Sequence, residues 1–217
     1  MAVIQSKIFI TDNFLLNSDL AVTLYHNCAK KMPIIDYHNH LSPKLIAENQ
    51  PVKNITEAWL NGDHYKWRGM RANGIDENFI TGDSSLEDRF DKWAETVPYT
   101  LRNPLFHWNQ LELKRYFNID EILQPNNAKE IYKKANAILE DKTPAQLLED
   151  MNVEVVCTTD DPTDDLQYHK AIVKANFFTK VYPTFRSDEL FLINQDKFSD
   201  LLNYRKIFIY FSNHLFN

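Results

Sequence analysis

Apolar and polar positions along the chain predict an N-terminal helix, a short strand, a long helical segment and two later strands. Helical spacing covers residues 12–32, with Asp12 as the expected cap and Pro33 as the stop. A short apolar run over residues 32–37 predicts the first strand. Three consecutive polar residues follow it: His38, Asn39 and His40. A parallel barrel presents its chemistry at such polar strand ends.

The region 41–150 carries helical spacing and little strand signal. We predict helices that start near residues 54, 85, 103, 126 and 143, where capping residues or prolines precede apolar positions. At the last of these, Thr143 is the expected cap and Pro144 the first helical residue. The pattern therefore predicts a long helical insertion after the first strand.

Two further strands are predicted in the last third of the chain. β-branched residues dominate 153–159, where Asp160-Asp161-Pro162 ends the run. A helical segment over 163–175 follows, and then a third strand over 180–185, with Arg186 directly after it. This alternation is typical of βαβ units, so we expect an α/β fold with a parallel sheet.

The final segment, residues 201–217, differs from the rest of the chain. It is rich in Asn, Ile, Phe and Tyr and contains no acidic residue. We interpret it as atypical sequence, such as readthrough in a shifted frame, with an edge strand as the alternative. The predicted organisation is an N-terminal helical segment over 1–32, the sheet and its insertion over 33–200, and this tail.

Composition and charge exclude several function classes. The net charge of −6 and the absence of a basic stripe argue against nucleic acid as a partner. Only four glycines occur, and neither GxGxxG nor GxxxxGK[ST] is present, so no nucleotide cofactor is expected. No apolar run predicts a membrane span, and no signal peptide is visible. Cys28 and Cys157 form no CxxC motif, which favours free buried thiols and a cytoplasmic location.

His38 and His40 are the strongest chemical signal in the sequence. Alternate residues on a strand point to the same side, so both imidazoles should face one way. Two imidazole ligands in that arrangement suit Zn²⁺ or a similar divalent ion. The competing interpretation is a pair of surface histidines at a strand end.

A second cluster follows in NGDHYKWRGMRANG, which holds His64, Tyr65, a lysine and two arginines. Guanidinium groups bind carboxylates, and a histidine or tyrosine can relay protons, so the cluster suits a substrate that bears a carboxylate. A basic helix face is the alternative. Arg186, just after the third strand, lies where barrel enzymes place substrate contacts, although a solvent-exposed arginine is the simpler interpretation.

Several segments together resemble the signature blocks of uronate isomerases. They are PIIDYHNHLSP, WLNGDHYKWRGMRANG, ETVPYTLRNPLFHWNQLELKRYF, VEVVCTTDDPTDDLQYH and PTFRSD, in the family's order. The resemblance implies an amidohydrolase-like (β/α)8 TIM barrel and an aldose–ketose isomerase of hexuronate catabolism. Such an enzyme converts D-glucuronate to D-fructuronate and D-galacturonate to D-tagaturonate, and its partner is a small sugar acid.

The resemblance also implies roles for individual residues. His38 and His40 match the metal ligands at the end of the first barrel strand, with zinc as the expected ion. His64 and Tyr65 match the catalytic pair that lies against the substrate, and Arg186 matches an arginine that contacts the sugar acid. A homo-oligomer is left open for the full-length protein.

The chain departs from the family in one turn and in length. Ser187 replaces the proline of the family's T-F-R-P-D block, which changes the turn and keeps the arginine. A (β/α)8 barrel takes about 250 residues, whereas this chain shows three strands and no counterpart of the family's aspartate ligand from the last strand. We therefore predict an incomplete barrel that contains only the first strands, from a truncated or frameshifted product that is inactive alone.

Two alternative functions stay open at this point. One is a metal-dependent hydrolase of the amidohydrolase type, because an H-x-H motif on the first strand serves hydrolysis there as well. The other is a non-enzymatic helical interaction module built on residues 41–150, which would need no metal.

Overall fold

The structure is a computed structural model that describes residues 8–161, 164–186 and 188–191. This part of the chain is mixed α/β, and its helices and strands follow in the order α1 (Asp19–Asn27), β1 (Ile34–Asn39), α2 (Pro43–Glu48), α3 (Ile55–Leu60), α4 (His64–Ala72), α5 (Leu86–Thr96), α6 (Pro104–Phe117), α7 (Ala128–Leu139), α8 (Pro144–Asp150), β2 (Val153–Asp160), α9 (Gln167–Ala175) and β3 (Lys180–Phe185).

These elements form two compact units. The helical unit contains the described residues up to 32 together with 51–143. The sheet unit contains 33–50 and the described residues from 144 onward. The predicted division into 1–32, 33–200 and 201–217 stays a prediction, and its last segment lies outside the described residues.

The sheet is parallel, as the sequence predicted, and its strand order is β1-β2-β3. Val156 pairs with Val181, and Thr159 pairs with Thr184, in a continuous register between β2 and β3. The pairing of β1 with β2 is irregular between Asp36 and Asn39. Such irregularities redirect side chains near the ends of strands, and this one lies where β1 reaches its polar tip.

The core of the sheet unit lies on one side of the sheet. Helices α2, α8 and α9 supply its other wall. Burial along β2 alternates with the strand period, so Val156 and Thr158 face this core while Thr159 faces the other side. The buried apolar residues of this core are Ile46, Leu148, Val153, Val156, Ile172 and Val181.

The helical unit has its own apolar core, in which Trp93 and Phe90 of α5 are fully buried. The Phe90 ring stacks on Trp59 at 6.1 Å between centroids and meets Tyr132 of α7 at 5.2 Å. Helices α3, α4, α6 and α7 bring further side chains to this core, among them Ile55, Leu60, Met70, Leu113, Ile131 and Ala135.

Most of the predicted elements are confirmed. β3 has the predicted bounds, β2 is one residue longer, and β1 is displaced by two residues to end at Asn39. Helices α5 and α6 begin directly after their predicted caps, because Ser85 and Asn103 accept hydrogen bonds from the first-turn amides. α8 begins at Pro144 as predicted.

Three expectations need correction. The first helix does not begin at Asp12; it begins at Asp19, because the Ser18 hydroxyl accepts a hydrogen bond from the Ala21 amide and starts the helix there. α9 begins at Gln167, later than predicted. Both cysteines are free, but neither is fully buried: Cys28 is exposed at the end of α1, and Cys157 of β2 is partly buried. None of the helices in the described ranges is long and apolar enough to cross a membrane.

Candidate functional site

The two histidines of the H-x-H motif lie side by side at the C-terminal end of β1. Their ring centroids are 4.9 Å apart with an angle of 88° between the planes, and both side chains are exposed. The prediction that His38 and His40 share one side of the strand is therefore confirmed. Two neutral imidazoles at this separation are the donor set that a zinc ion or similar divalent metal accepts.

Asn39, between the two histidines, holds the strand tip in shape. Its Nδ2 donates to the Asp36 carboxylate at 2.6 Å, and its Oδ1 accepts from the Leu41 amide at 2.5 Å. Both bonds are local, so three residues close together in the sequence stabilise the end of β1 beside the irregular register. The Asn39 side chain thus stabilises the local backbone conformation, in which the imidazoles of His38 and His40 lie side by side.

The neighbouring strand contributes Thr159, which sequence reasoning missed. Its hydroxyl donates to the Asn39 carbonyl at 2.6 Å and lies 3.1 Å from Nδ1 of His40. Nothing in the local pattern of VEVVCTTD distinguishes this threonine from the one before it. The contact depends on which strand lies beside β1 and in what register.

A buried polar cluster fixes the end of β2 from the opposite side of the sheet. The Thr158 hydroxyl donates to the Asp160 carboxylate at 2.7 Å and lies 2.8 Å from Nε2 of His169, which comes from α9. All three side chains are buried. Sequence spacing alone did not indicate this contact, because His169 reaches Thr158 through the packing of α9, which contacts β3 and α2.

Arg186 follows β3, as expected, and its side chain is just over half exposed. Its Nε donates to the Asp188 carboxylate, two residues further on. The residue that replaces the family's proline, Ser187, lies outside the described residues. The Asp188 carboxylate is bonded to Nε alone, so the terminal nitrogens of this half-exposed guanidinium can still donate to a second carboxylate.

A third protein ligand for a metal is not found in the described part of the chain. Within those residues, no group of three or more His, Cys, Asp or Glu side chains could hold an ion. A four-coordinate zinc site built on His38 and His40 would therefore need further ligands in addition to these two imidazoles.

The predicted catalytic pair belongs to the helical unit. His64 and Tyr65 are the first two residues of α4, where the Asp63 carboxylate caps the helix by accepting from the amides of Tyr65 and Lys66. Tyr65 is 71% exposed. The His64 ring meets Trp67 edge to face at 4.9 Å, and this contact holds the imidazole at the start of the helix.

The basic residues around this pair are largely used within the helical unit. Lys66 is buried, and its Nζ lies 2.5 Å from the Asp63 carboxylate. Arg71 donates twice to the Glu77 carboxylate, at 2.8 and 2.5 Å. This lysine and this arginine are thus paired within the helical unit, which favours the alternative interpretation of a basic helix face for these two residues.

Glu112 of α6 is a further ionisable group beside this helix start that the sequence did not indicate. Partial burial raises the pKa of the Glu112 carboxyl above its ordinary range, and the negative charge of Asp63 acts in the same direction. The positive charge of Lys66 and a hydrogen bond from Trp59 oppose that shift in pKa. The glutamate therefore binds a proton more tightly when the unit is folded.

This raised pKa predicts a pH-dependent stability. The folded state keeps the Glu112 proton to a higher pH than the unfolded chain does. Binding of this proton therefore stabilises the folded state fully below the pKa of the unfolded chain, and this stabilisation is lost as pH rises through the pKa of the folded state. We expect Glu112→Gln to flatten the fall in urea midpoint across this window. The control is Glu87→Gln at an exposed position of α5. Parallel curves for Glu112→Gln and the parent would contradict the expectation.

The geometry of the two units agrees with the comparison to known proteins. Residues 6–208 match the glucuronate isomerase family. The chain belongs to this family. It is 52% identical over 197 residues to the uronate isomerase of Staphylococcus haemolyticus and 53% identical over 193 residues to that of Caldicellulosiruptor saccharolyticus. These alignments cover 89% and 88% of this chain but 42% of each relative.

Solved structures give the same result for the fold. The uronate isomerase of Thermotoga maritima superposes with a TM-score of 0.84 at 35% identity, over 90% of this chain and 43% of that one. The glucuronate isomerase of Caulobacter crescentus is similar in fold, with a TM-score of 0.75 at 22% identity. The family match decides between the three interpretations of the sequence and favours the isomerase over the hydrolase and the helical module.

Proposed function

We propose that this chain supplies the first part of the active site of a metal-dependent uronate isomerase. The observation that carries the proposal is the pair of imidazoles, His38 and His40, at the end of the first strand of a parallel sheet in a chain of the glucuronate isomerase family. The chain spans less than half the length of the relatives it matches. The proposed reaction interconverts D-glucuronate and D-fructuronate, or D-galacturonate and D-tagaturonate.

The proposed fold is an incomplete (β/α)8 barrel. Within the described residues, β1 and β3 are the two outer strands, and both carry exposed aromatic side chains, with Tyr37 at 81% and Tyr182 at 54% exposure. Closed barrels have no outer strands, and apolar side chains on strand edges favour pairing. Further strands beside β1 and β3 would cover these groups.

Each site residue has a proposed task in the isomerisation. His38 and His40 would hold the divalent ion, zinc by preference, which when bound supplies positive charge that stabilises negative charge on the sugar oxygens. Arg186 would bind the uronate carboxylate with the guanidinium nitrogens that Asp188 does not occupy. His64 and Tyr65 would move protons between the carbon and oxygen atoms at C1 and C2. The cytoplasmic location rests on the two free cysteines.

A chimera tests the proposal. Residues 10–191 of this chain would replace the matching segment of the Staphylococcus haemolyticus uronate isomerase, with which the chain is 52% identical. We expect the chimera to isomerise D-glucuronate, and the 217-residue chain alone to show no turnover. No turnover is expected from the chain alone because its described residues offer no group of three metal ligands.

Two controls make the result decisive. The same chimera with His40→Ala should lose turnover while it keeps its helical content, because only a metal ligand has been removed. We expect the chimera not to hydrolyse amide or ester substrates. Hydrolysis of either would favour the hydrolase interpretation. A folded chimera that leaves D-glucuronate unchanged, beside an active parent isomerase, would contradict the proposed function.

A further inference from the structure

The Thr159 hydroxyl makes two contacts with the tip of β1, and together they fix the position of one proton. Oγ1 lies 2.6 Å from the carbonyl oxygen of Asn39 and 3.1 Å from Nδ1 of His40. A carbonyl oxygen only accepts hydrogen bonds, so the single hydroxyl proton is directed to Asn39. The contact between Oγ1 of Thr159 and Nδ1 of His40 is then a hydrogen bond only if Nδ1 carries a proton and donates it to the hydroxyl oxygen.

This assignment determines which nitrogen of His40 can bind a metal. A neutral imidazole has one N–H, so a proton on Nδ1 leaves the lone pair on Nε2. We propose that Thr159 is a positioning residue that holds His40 in the Nδ1–H tautomer and presents its Nε2 to the metal ion. The inference rests on the proposed function, because it concerns the same metal site.

The position of Thr159 is fixed by its neighbours. Thr159 pairs with Thr184 of β3 in a continuous register. The residue before it, Thr158, points to the opposite side of the sheet and is bonded there to Asp160 and His169. Two adjacent threonines thus have separate tasks, since Thr158 anchors the end of β2 and Thr159 bonds to the metal-binding tip of β1.

An outer hydrogen bond of this kind changes metal binding in a known way. A metal-bound histidine almost always donates its other N–H to a fixed acceptor, which sets the tautomer and the ring orientation, and loss of that acceptor typically costs 10–100-fold in affinity. Because the contact spans the two strands, the threonine also couples ring orientation to the pairing of β1 with β2.

The first measurement reads the tautomer directly in the metal-free 217-residue chain. Long-range ¹H–¹⁵N NMR spectra distinguish the two neutral tautomers of an imidazole ring, because the protonated and unprotonated ring nitrogens give separate signals. The His40 signals are assigned by their loss in His40→Gln. We expect Nδ1–H in the parent chain and in Thr159→Ser. In Thr159→Val we expect a shift toward Nε2–H, the form that free histidine favours.

The matched control is Thr184→Val, which removes a hydroxyl at the same level of the neighbouring strand. It should leave the His40 signals unchanged, and amide spectra of all variants report whether the fold is kept. An Nε2–H form of His40 in the parent chain overturns the proposal. An Nδ1–H form that persists unchanged in Thr159→Val also overturns it.

The second measurement is the zinc affinity of the same variants, by competition with a chromogenic chelator. We expect Thr159→Val to weaken zinc binding by about 10–100-fold, whereas Thr159→Ser and Thr184→Val stay near the parent value. Equal affinities for the parent and Thr159→Val overturn the positioning role. A parent chain that binds no zinc contradicts the proposed metal site instead, and the tautomer spectra still decide the role of Thr159.

Discussion

Replacement of Trp93 with alanine is expected to lower the free energy of unfolding by about 3–5 kcal/mol, the range found for large aromatic residues in cores. The Trp93 side chain is fully buried in α5, at the centre of the helical unit. Its Nε1 donates to the Asn109 side chain of α6 at 3.2 Å, and Asn109 is itself buried. The substitution therefore leaves a cavity and a buried amide oxygen without its donor, and both effects destabilise the unit.

A control substitution distinguishes the loss of a buried tryptophan at position 93 from the loss of any tryptophan. Trp108→Ala is the control, since this side chain is half exposed on α6 and its loss should change stability by well under 1 kcal/mol. Trp93→Phe should lie between the two, because it keeps most of the ring and loses the N–H. Urea unfolding followed by circular dichroism measures all three. Similar losses for Trp93→Ala and Trp108→Ala would contradict the assignment of Trp93 to the core.

Zinc binding by the chain is expected to need both imidazoles of the H-x-H pair. Loss of an outer hydrogen bond to a ligand already costs 10–100-fold in affinity, so removal of the ligand itself should cost more than about 100-fold. We expect His38→Ala and His40→Ala each to weaken binding by at least that factor. The two rings lie 4.9 Å apart at the end of β1. Within the described residues, no further His, Cys, Asp or Glu joins them in a group of three that could replace a lost ligand.

The control for the zinc experiment is His26→Ala, at the end of α1 in the helical unit, where the imidazole contacts the Asn13 side chain. Its affinity for zinc should equal that of the parent chain. Isothermal titration at neutral pH measures binding, and far-ultraviolet circular dichroism confirms that each variant is folded. Zinc affinity that survives His40→Ala, or that falls equally in His26→Ala, would locate the bound ion elsewhere.

Local sequence signals were sufficient for most elements of the fold. The run VEVVCTT predicted β2, because β-branched residues favour a half-buried strand, and the predicted bounds of β3 are those observed. Capping residues located α5 and α6 to within a residue. The same approach placed the first helix too early, since Asp12 and Ser18 are both good caps and only the observed bond to Ala21 distinguishes them.

The candidate site divides in the same way. The side-by-side arrangement of His38 and His40 follows from the strand period, a property of three consecutive residues, and the sequence was sufficient for it. Spacing did not show that Lys66 is paired with Asp63, or that Arg71 is paired with Glu77. The lysine at the sixth position of NGDHYKW is expected to be exposed from the sequence, but the packing of α4 within its unit buries it.

The sequence by itself determined the family, the order of helices and strands, and the histidine pair, because each depends on residues that are close together in the chain. The tertiary structure decided which distant groups meet. Thr159 reaches His40 across 119 positions, and His169 reaches Thr158 from a different element. Such contacts depend on strand order, register and helix packing. These arise only when the free energy gained by burying the core exceeds the entropy lost in closing long loops.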